Sequence, residues 1–513
     1  MPAPRLLSIC STLLLLAPWA AAGDIDPSNP PQGLFSDEWM LATMGGQRAG
    51  YVHTTMAREG DRVTSRVISA FSLSRAGAPI EVSMIESVTE TVQGVPLEFE
   101  NSMQMASVTI VTRGRVRDGQ VEIAKTQFGL TQTQRLPYPR GALMAGWGMY
   151  AEQLRRGFEP GTEYELDSYV PSLQTDKAVR TIIRVERREP IELLDGKKVE
   201  ALRVVTTLAS PMGSIDVTSW VTEDGTTLKS QMELMGLAIE TYRTDKQTAT
   251  QEIEAPELFL NTLVRADKHI DRQAARRLRL LLRVTGDGDG MPELPATGMQ
   301  KPGKRTQDSV VLEISRLDHE ALGQARLPAA GGDLAEYLRP NIWINSDDPQ
   351  VIAMARDAAG EATAPYEIAD RLRRYVTDII QDKSLSVGFA SASEVCRNKE
   401  GDCSEHAVLL AALGRVHRIP SRVVIGLVYV PWFAGSADVF GFHMWTQFRL
   451  GDQWVDFDAA QRESDCNPTH IAVLTSSLAE SSLADLAFGI IGVIGRLEID
   501  VLAAEPPGAI EGS

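Results

Sequence analysis

Three residues in the C-terminal part of the chain have side chains that could act together in nucleophilic chemistry. They are Cys403, His443 and Asp458; the histidine follows the cysteine by 40 positions and the aspartate follows the histidine by 15. A cysteine thiolate is a nucleophile, a histidine can take up and return a proton, and an aspartate can hold the imidazole in one tautomer. A lone cysteine is more often a packed small hydrophobic residue. The elements that carry the three residues therefore decide whether this chemistry is available.

Cys403 is predicted to be the first residue of a buried helix. Asp402 is a favoured N-cap residue, and Glu405 three positions on completes an Asp-x-x-Glu variant of the capping box. The apolar residues 408–413 follow, and Ile419-Pro420 ends the pattern. At the start of a helix a thiolate meets unpaired backbone N–H groups and the positive end of the helix dipole, which favour the charged form.

His443 begins an alternating segment, residues 443–450, that is typical of a β-strand. Gly451-Asp452 then turns the chain, and residues 453–458 return as a predicted partner strand. Asp458 can therefore lie beside His443 across the hairpin. Asp456 has the same strand parity and is the rival for the role of orienting carboxylate.

These segments, taken together, resemble the transglutaminase-like superfamily of cysteine enzymes. In that family a cysteine at a helix N-terminus is followed by a histidine on the first strand of a sheet and an aspartate on the next strand. The resemblance covers roughly residues 348–460, about a quarter of the chain. It rests on Gly401-Asp402-Cys403-Ser404-Glu405-His406-Ala407, Ile419-Pro420-Ser421-Arg422, Val423-Val424-Ile425-Gly426, His443-Met444-Trp445 and Trp454-Val455-Asp456-Phe457-Asp458. Where the family usually has Asp-Pro-Thr, this chain has Asp458-Ala459-Ala460.

The resemblance implies acyl transfer through a covalent intermediate. Cys403 would be the nucleophile, His443 the base and acid, and Asp458 the orienting residue, with a thioester formed from an amide. The backbone N–H of Cys403 is a candidate oxyanion donor. Water or a primary amine would resolve the thioester, so hydrolysis and cross-linking both stay open. The expected partner is a protein or peptide substrate or a component of the cell envelope, and no cofactor is expected.

Several neighbouring residues have simpler interpretations. His406 lies three positions after Cys403, but two candidate ligands do not make a metal site, and packing on the helix face is the favoured interpretation. Trp445 and Trp454 are expected to be core residues beside the site, with a substrate groove as the alternative. Residues 431–441 form either a lid over the cleft or a simple connection.

Cys396 and Cys466 flank the proposed site segments in sequence. In an oxidising compartment they would either pair as a disulfide or remain two buried thiols. The six residues between Cys396 and Cys403 do not match the Cys-x-x-Cys spacing of thiol redox proteins, so redox chemistry is disfavoured.

The rest of the chain is predicted to form β-rich domains, giving an α+β protein overall. Residues 24–255 alternate in the manner of strands, and hairpin turns are predicted at Asp118-Gly119, Asp195-Gly196 and Asp224-Gly225. One helix is predicted over residues 142–156. A small β linker domain follows over 256–340, with strands at 277–284 and 309–317 around a loop at 286–303. The catalytic domain with a C-terminal extension spans 341–513, with helices starting at Pro349 and near Tyr366.

Composition and the first residues narrow the function further. Residues 1–22 carry Arg5, an apolar stretch and Ala20-Ala21-Ala22, as in a cleaved signal peptide. The expected location is therefore periplasmic or extracellular, with no transmembrane segment in the mature chain. Lys plus Arg number 51 against 68 Asp plus Glu, a net charge of −17, which disfavours nucleic-acid binding. The alternative to an enzyme is a non-catalytic module that keeps the fold and binds a protein or the cell envelope through the β domain.

Overall fold

The computed structural model describes residues 25–505 except 76–77, 106–107, 128, 211–212, 235–236, 258–261, 287–289, 329–330, 382–389, 434, 463–465 and 480–494. The predicted signal peptide, residues 1–22, lies outside this range. The chain divides into two compact units after Glu257. Among the described residues, no helix combines the length and the hydrophobicity that a bilayer-spanning segment requires.

The first unit is one sheet, antiparallel except for the parallel pair of β9 and β10, together with two helices. Within the described residues the sheet has 15 strands, ordered β8 to β1 and then β15 to β9, so that β1 pairs with β15 at its centre. The elements are β1 (Gly33–Met44), β2 (Gln47–Glu59), β3 (Arg62–Arg75), β4 (Ala78–Thr91), β5 (Pro96–Met105), β6 (Val108–Arg117), β7 (Gln120–Gln127), β8 (Leu130–Pro137), β9 (Leu143–Met144), α1 (Trp147–Arg156), β10 (Glu163–Tyr169), β11 (Val179–Glu192), β12 (Lys198–Ser210), β13 (Gly213–Val221), β14 (Thr227–Leu234), β15 (Leu237–Thr244) and α2 (Lys246–Ala249).

The three predicted Asp-Gly turns are confirmed. They join β6 to β7, β11 to β12 and β13 to β14, each an antiparallel pair. At the first turn Asp118 and Gly119 both have positive φ, 51° and 69°. This is the geometry of a two-residue turn whose twist matches that of the flanking strands.

The predicted helix at 142–156 is shorter than expected. Helix α1 begins at Trp147, because Leu143 and Met144 form strand β9 beside β10. Its N-cap residue, Gly146, has no side chain to accept a hydrogen bond. The carboxylate of Glu90, on β4, does so instead and accepts from the backbone N–H of Gly148 at 2.9 Å.

The described residues of the second unit form two sheets and most of the helices. One sheet has the order β16, β21, β20, β23, with β22 also on β21; the other has the order β18, β19, β17, β24. The elements are β16 (Val264–Arg265), β17 (Arg277–Val284), β18 (Gln300–Arg305), β19 (Ser309–Ser315), α3 (His319–Gly323), a 3-10 helix (Gly332–Tyr337), α4 (Pro349–Ala359), α5 (Pro365–Ile379), α6 (Ala392–Asn398), α7 (Cys403–Val416), β20 (Ser421–Phe433), β21 (Ser436–Leu450), β22 (Gln453–Phe457), β23 (His470–Ser476) and β24 (Leu497–Glu505).

Strands β17 and β19, which were predicted within a linker domain over 256–340, form a sheet with β24 from the C-terminal region. The expected loop at 286–303 contains the start of β18. This strand is mostly polar and contains Pro302 and Gly303, yet it pairs with β19.

Helix α7 is the centre of the second unit. All but its first and last residues are buried. On β21, Thr446 donates its hydroxyl hydrogen to the carbonyl of Ala407 at 2.8 Å. The ring of Phe448 lies against Gly414, where a Cβ atom would come within 2.2 Å of it. A buried helix thus packs on an antiparallel sheet, and the α+β architecture is confirmed.

Candidate active site

Cys403 is the first residue of α7, as predicted. Asp402 is its N-cap, and the Asp402 carboxylate accepts from the backbone N–H of Ser404 at 2.8 Å. Glu405 accepts from the backbone N–H of Asp402 at 2.9 Å, which completes the capping box. Cys403 is half-buried, whereas the residues after it in the helix are buried. The sulfur therefore sits where the helix dipole favours a thiolate and where a reagent can still reach it.

The loop before α7 depends on Glu405 and a glycine. The second oxygen of Glu405 accepts from the backbone N–H of Ala390 at 2.9 Å. Burial and the nearby Asp402 carboxylate raise the pKa of Glu405 well above its ordinary value. Gly401 has a φ of 148°, and a Cβ atom there would lie 2.3 Å from Cβ of Glu405. The capping side chain thus fits only against a glycine.

His443 lies on β21, opposite Gly426 of β20. Its Nε2 is 2.8 Å from Oδ2 of Asp458, which follows directly after β22. The side chain of His443 is also hydrogen-bonded to Cys403. Because Nε2 faces the aspartate, Nδ1 is the nitrogen left for the sulfur. The structure thus brings the three predicted residues together in the order cysteine, histidine, aspartate.

The electrostatics of this chain of residues favour an ion pair. Burial disfavours a charged His443 ring, but the Asp458 carboxylate and the Cys403 sulfur outweigh it and raise the pKa of His443 to about 10. Burial acts against ionised Asp458 too, yet the hydrogen bonds and charges of two histidines hold the pKa of Asp458 well below its usual range. At neutral pH His443 is therefore an imidazolium, beside the Asp458 carboxylate and the sulfur of Cys403.

Asp456, the rival carboxylate, has different partners. Its Oδ1 accepts from Nε1 of Trp445 and from Nε2 of Gln447, both at 2.7 Å. Burial raises the pKa of Asp456 above its ordinary value, although these two donors oppose the shift. It is Asp458 that contacts His443.

His470 is a member of the site that sequence reasoning missed. Its Nε2 lies 3.2 Å from Oδ2 of Asp458, the oxygen that also faces His443. Its side chain is 2% exposed and packs edge-on against the ring of Trp445. His470 starts β23, which pairs with β20. In sequence it is only a histidine before an apolar strand, so no local pattern singles it out.

The remaining residues of interest have structural contacts. Trp445 is buried with its ring plane 23° from that of His443. Trp454 lies under the guanidinium of Arg422, 4.1 Å from the ring centroid. Nδ1 of His406 lies 2.6 Å from the carbonyl of Asp402, within its own helix.

Cys396 and Cys466 are both buried thiols rather than a disulfide. The sulfur of Cys396 lies 3.5 Å from that of Met354, and burial raises the pKa of its thiol to about 12. Cys396 is therefore a poor nucleophile at neutral pH, in contrast to Cys403.

Residues 431–441 were predicted to be either a lid or a connection. Of these, residues 431–433 and 435–441 lie at the tip of the β20–β21 hairpin, and residue 434 lies outside the described residues. Trp432 pairs with Ala437 and is 65% exposed. Farther along β21, Phe440 pairs with Val264 of β16. Among the described residues, no group of three or more His, Cys, Asp or Glu side chains is arranged to hold a metal ion.

Comparison with known families identifies the region around the site. Residues 352–459 match the family model of the transglutaminase-like superfamily. The match includes Cys403, His443 and Asp458 and ends before His470. Comparison with curated proteins gives no significant match.

Among solved structures, a provisionally assigned cysteine protease from Cytophaga hutchinsonii is 16% identical, with 45% of this chain and 92% of that chain covered and a TM-score of 0.32. A β-barrel-like protein from Brucella abortus, from a domain family of unknown function, is 10% identical, with 42% and 97% covered and a TM-score of 0.32. A provisionally assigned protease from Parabacteroides distasonis is 10% identical, with 75% and 65% covered and a TM-score of 0.19. Scores of this size establish no shared fold. The family match and the arrangement around α7 together identify a transglutaminase-like core in the second unit.

Proposed function

We propose that the protein is an exported, cysteine-dependent amide hydrolase or acyltransferase that forms a thioester on Cys403. The observation that supports this most directly is the continuous chain from the Cys403 sulfur through His443 to Asp458, with a 2.8 Å contact between imidazole and carboxylate. A packed structural cysteine would not need a histidine held in a fixed tautomer. The proposed substrate is a peptide or isopeptide amide, carried by a protein or by a component of the cell envelope.

In the first half-reaction the thiolate of Cys403 attacks the amide carbonyl carbon. The C–N bond then breaks, and the departing amine takes the proton of the His443 imidazolium. This leaves a thioester on Cys403 and a neutral His443. The pKa of His443, raised to about 10, ensures that the proton is present at the start.

In the second half-reaction neutral His443 removes a proton from the acceptor as it attacks the thioester. Water gives a carboxylic acid, and a primary amine gives a new amide; in both cases the C–S bond breaks and the thiolate–imidazolium pair is restored. Asp458 keeps the same His443 tautomer through both steps, because its Oδ2 stays on Nε2.

The proposed location is the periplasm or the cell exterior, from the signal sequence at residues 1–22. N-terminal sequencing of the exported protein tests this directly. A mature chain beginning near Gly23 supports export, whereas a full-length product recovered from the cytoplasm contradicts it.

The nucleophile is tested by brief iodoacetamide treatment at pH 7, followed by peptide mass spectrometry that resolves each cysteine. We expect modification of Cys403 at least about tenfold faster than of Cys396, whose thiol is buried and has a raised pKa. Equal labelling of Cys396, Cys403 and Cys466 would contradict the proposal.

Turnover is tested with reduced, alkylated casein, with and without a dansyl-labelled primary amine. Release of peptides indicates hydrolysis, and dansyl incorporation into casein indicates transfer. The Cys403→Ala variant should abolish either product, and the Cys396→Ala variant serves as the matched control that retains it. Activity that survives Cys403→Ala would exclude Cys403 as the nucleophile.

A further inference from the structure

Asp458 is shared by two histidines, although the proposed mechanism needs one. Oδ2 of Asp458 lies 2.8 Å from Nε2 of His443 and 3.2 Å from Nε2 of His470. Oδ1 accepts from the backbone N–H of Ala460 at 2.9 Å. The rings of the two histidines are 6.3 Å apart and steeply inclined at 67°.

Both ring nitrogens of His470 face hydrogen-bond acceptors. Its Nε2 faces an ionised carboxylate, and its Nδ1 lies 3.2 Å from the backbone carbonyl of Asn467. Both partners can only accept hydrogen bonds, whereas a neutral imidazole has one donor nitrogen and one acceptor nitrogen. Both contacts are satisfied together only when His470 carries two protons and a positive charge.

We propose that His470 is a cationic positioning residue that holds Asp458 against His443 and balances its negative charge. This inference rests on the proposed function, since it gives His470 a role in the same site. With His470 charged, the thiolate of Cys403, the two imidazolium rings and the Asp458 carboxylate sum to zero. A neutral cluster is easier to bury than one with a net negative charge.

Among the described residues, few other charged groups lie near His470. On the side of β22, Asp456 lies close enough for the charge of His470 to favour its ionised form. The charge of Arg422 also favours the ionised form of Asp456, so this second carboxylate has a cation other than His470. On β20, the residue paired with His470 is Val428, which is apolar, and the hydroxyl of Tyr429 is directed to Asp438. In the part of the chain that the structure describes, the charges that face His470 are thus Asp458, Asp456, His443 and, beyond His443, Cys403.

Loss of the positive charge at position 470 should make both Cys403 and His443 harder to deprotonate. Each group would then lose its proton at higher pH. The rings of His443 and His470 are 6.3 Å apart, and at such a separation in a partly buried site one charge changes a proton equilibrium by about one pH unit. Cys403 lies beyond His443, so its equilibrium should change by less. A purely structural His470 would change the amount of active protein but not the pH at which the site titrates.

The experiment is the pH dependence of Cys403 alkylation by iodoacetamide, followed by site-resolved mass spectrometry from pH 3 to 11. The wild-type protein should show two transitions, one for the thiol and one for His443. In His470→Gln the side-chain amide can still donate to Asp458 but has no charge. We expect the His443 transition about one pH unit higher and the thiol transition higher by a smaller amount. His470→Asn can reach only the Asn467 carbonyl, and it should in addition lower the alkylation rate at pH 7. His269→Gln, at an exposed histidine paired with Asp438, is the control and should match the wild type.

The outcomes separate this inference from the proposed function. If wild-type Cys403 titrates as an ordinary thiol, near pH 8.5, both proposals are overturned. If the wild type shows two transitions that His470→Gln leaves unmoved, the role of His470 alone is overturned.

A measurement on the wild-type protein covers the case in which the variants do not fold. In protein labelled with 15N-histidine, nuclear magnetic resonance distinguishes an imidazolium from a neutral ring, and the contact between the rings of His443 and His470 assigns the pair. We expect two imidazolium rings at pH 7. A neutral His470 at that pH would contradict the proposal.

Discussion

Trp445 donates its indole N–H to Oδ1 of Asp456 across 2.7 Å, and this contact separates the roles of two carboxylates that lie two residues apart. Asp456 fixes the indole that flanks His443, at a centroid distance of 6.2 Å. Asp458 contacts the imidazole itself. Residues 456–458 thus fix the tryptophan that flanks His443 and also supply the carboxylate that orients the His443 ring.

Isosteric variants of the two carboxylates should therefore behave differently. In Asp458→Asn the charge that stabilises the His443 imidazolium is lost, and an amide can also select the wrong tautomer. We expect turnover of casein to fall by about 100-fold or more. In Asp456→Asn the remaining oxygen can still accept from Trp445 and Gln447, so we expect less than about a fivefold change in turnover and at most about 1 kcal/mol in stability.

The two measurements are the rate of casein turnover and the denaturation midpoint of each variant. Asp456→Ala, which removes both hydrogen bonds, should cost about 2–3 kcal/mol of stability. A larger loss of turnover in Asp456→Asn than in Asp458→Asn would reverse the assignment of the orienting residue.

Local signals explain why much of the site could be predicted from sequence. The cap of α7 depends on Asp402 and Glu405, which are three residues apart, and the contact of His443 with Asp458 spans a single hairpin. Residue types and their spacing in the sequence therefore predict such short-range geometry. The Asp-Gly turns of the first unit were predictable for the same reason.

What sequence reasoning missed depends on contacts between distant segments. His470 reaches Asp458 because β23 pairs with β20, about 45 residues earlier in the chain, and no local pattern encodes that pairing. Strand β18 is mostly polar because its pairing with β19, not a buried face, holds it in place. The start of α1 was placed too early because its cap is Glu90, 58 residues away from Gly148.

Gly401→Ala should affect Cys403 indirectly, by displacing Glu405, which caps α7. The new Cβ would lie 2.3 Å from Glu405, and the φ of 148° is strained for any residue with a side chain. We expect a loss of about 2 kcal/mol or more in stability and a slower alkylation of Cys403, since the cap of α7 must shift. Denaturation curves and the iodoacetamide assay measure the two effects.

Gly435→Ala is the matched control for this prediction. Gly435 also has a positive φ, of 86°, but a Cβ there would meet no atom within 4 Å. Gly435→Ala should lower the free energy of unfolding by about 1 kcal/mol and leave the rate of Cys403 alkylation unchanged. Equal effects of both variants would show that backbone strain, rather than the displacement of Glu405, is responsible.

Glu90 should make the first unit sensitive to pH. Burial raises its pKa to about 8, although the backbone N–H groups of Gly148 and Trp147 oppose the shift. Because the folded pKa is raised, the stabilisation is complete below the unfolded value of about 4.5 and is lost as the pH rises through 8. Hydrogen exchange in α1 should therefore accelerate as the pH rises from about 4.5 to about 8, after correction for intrinsic rates.

Glu90→Gln should remove that dependence, because the amide oxygen can still accept from Gly148 and the side chain cannot ionise. Glu98→Gln, at an exposed residue of the same sheet, is the control and should behave as the wild type. Unchanged pH dependence in Glu90→Gln would assign the effect to another group.

His443 should make the second unit sensitive to pH in the alkaline range. Its pKa rises from an ordinary 6.5 to about 10 in the folded protein, as the attraction of Asp458 and Cys403 outweighs the effect of burial. The resulting stabilisation is complete below pH 6.5 and is lost as the pH rises toward 10. We expect the free energy of unfolding, followed by hydrogen exchange of β21 and β22 in urea, to fall by a few kcal/mol over this range. The fall should be absent in His443→Gln, where the titrating ring is missing. A wild-type stability that rises from pH 7 to pH 10 would show that His443 is neutral in the folded protein, and the ion pair with Cys403 would then be excluded.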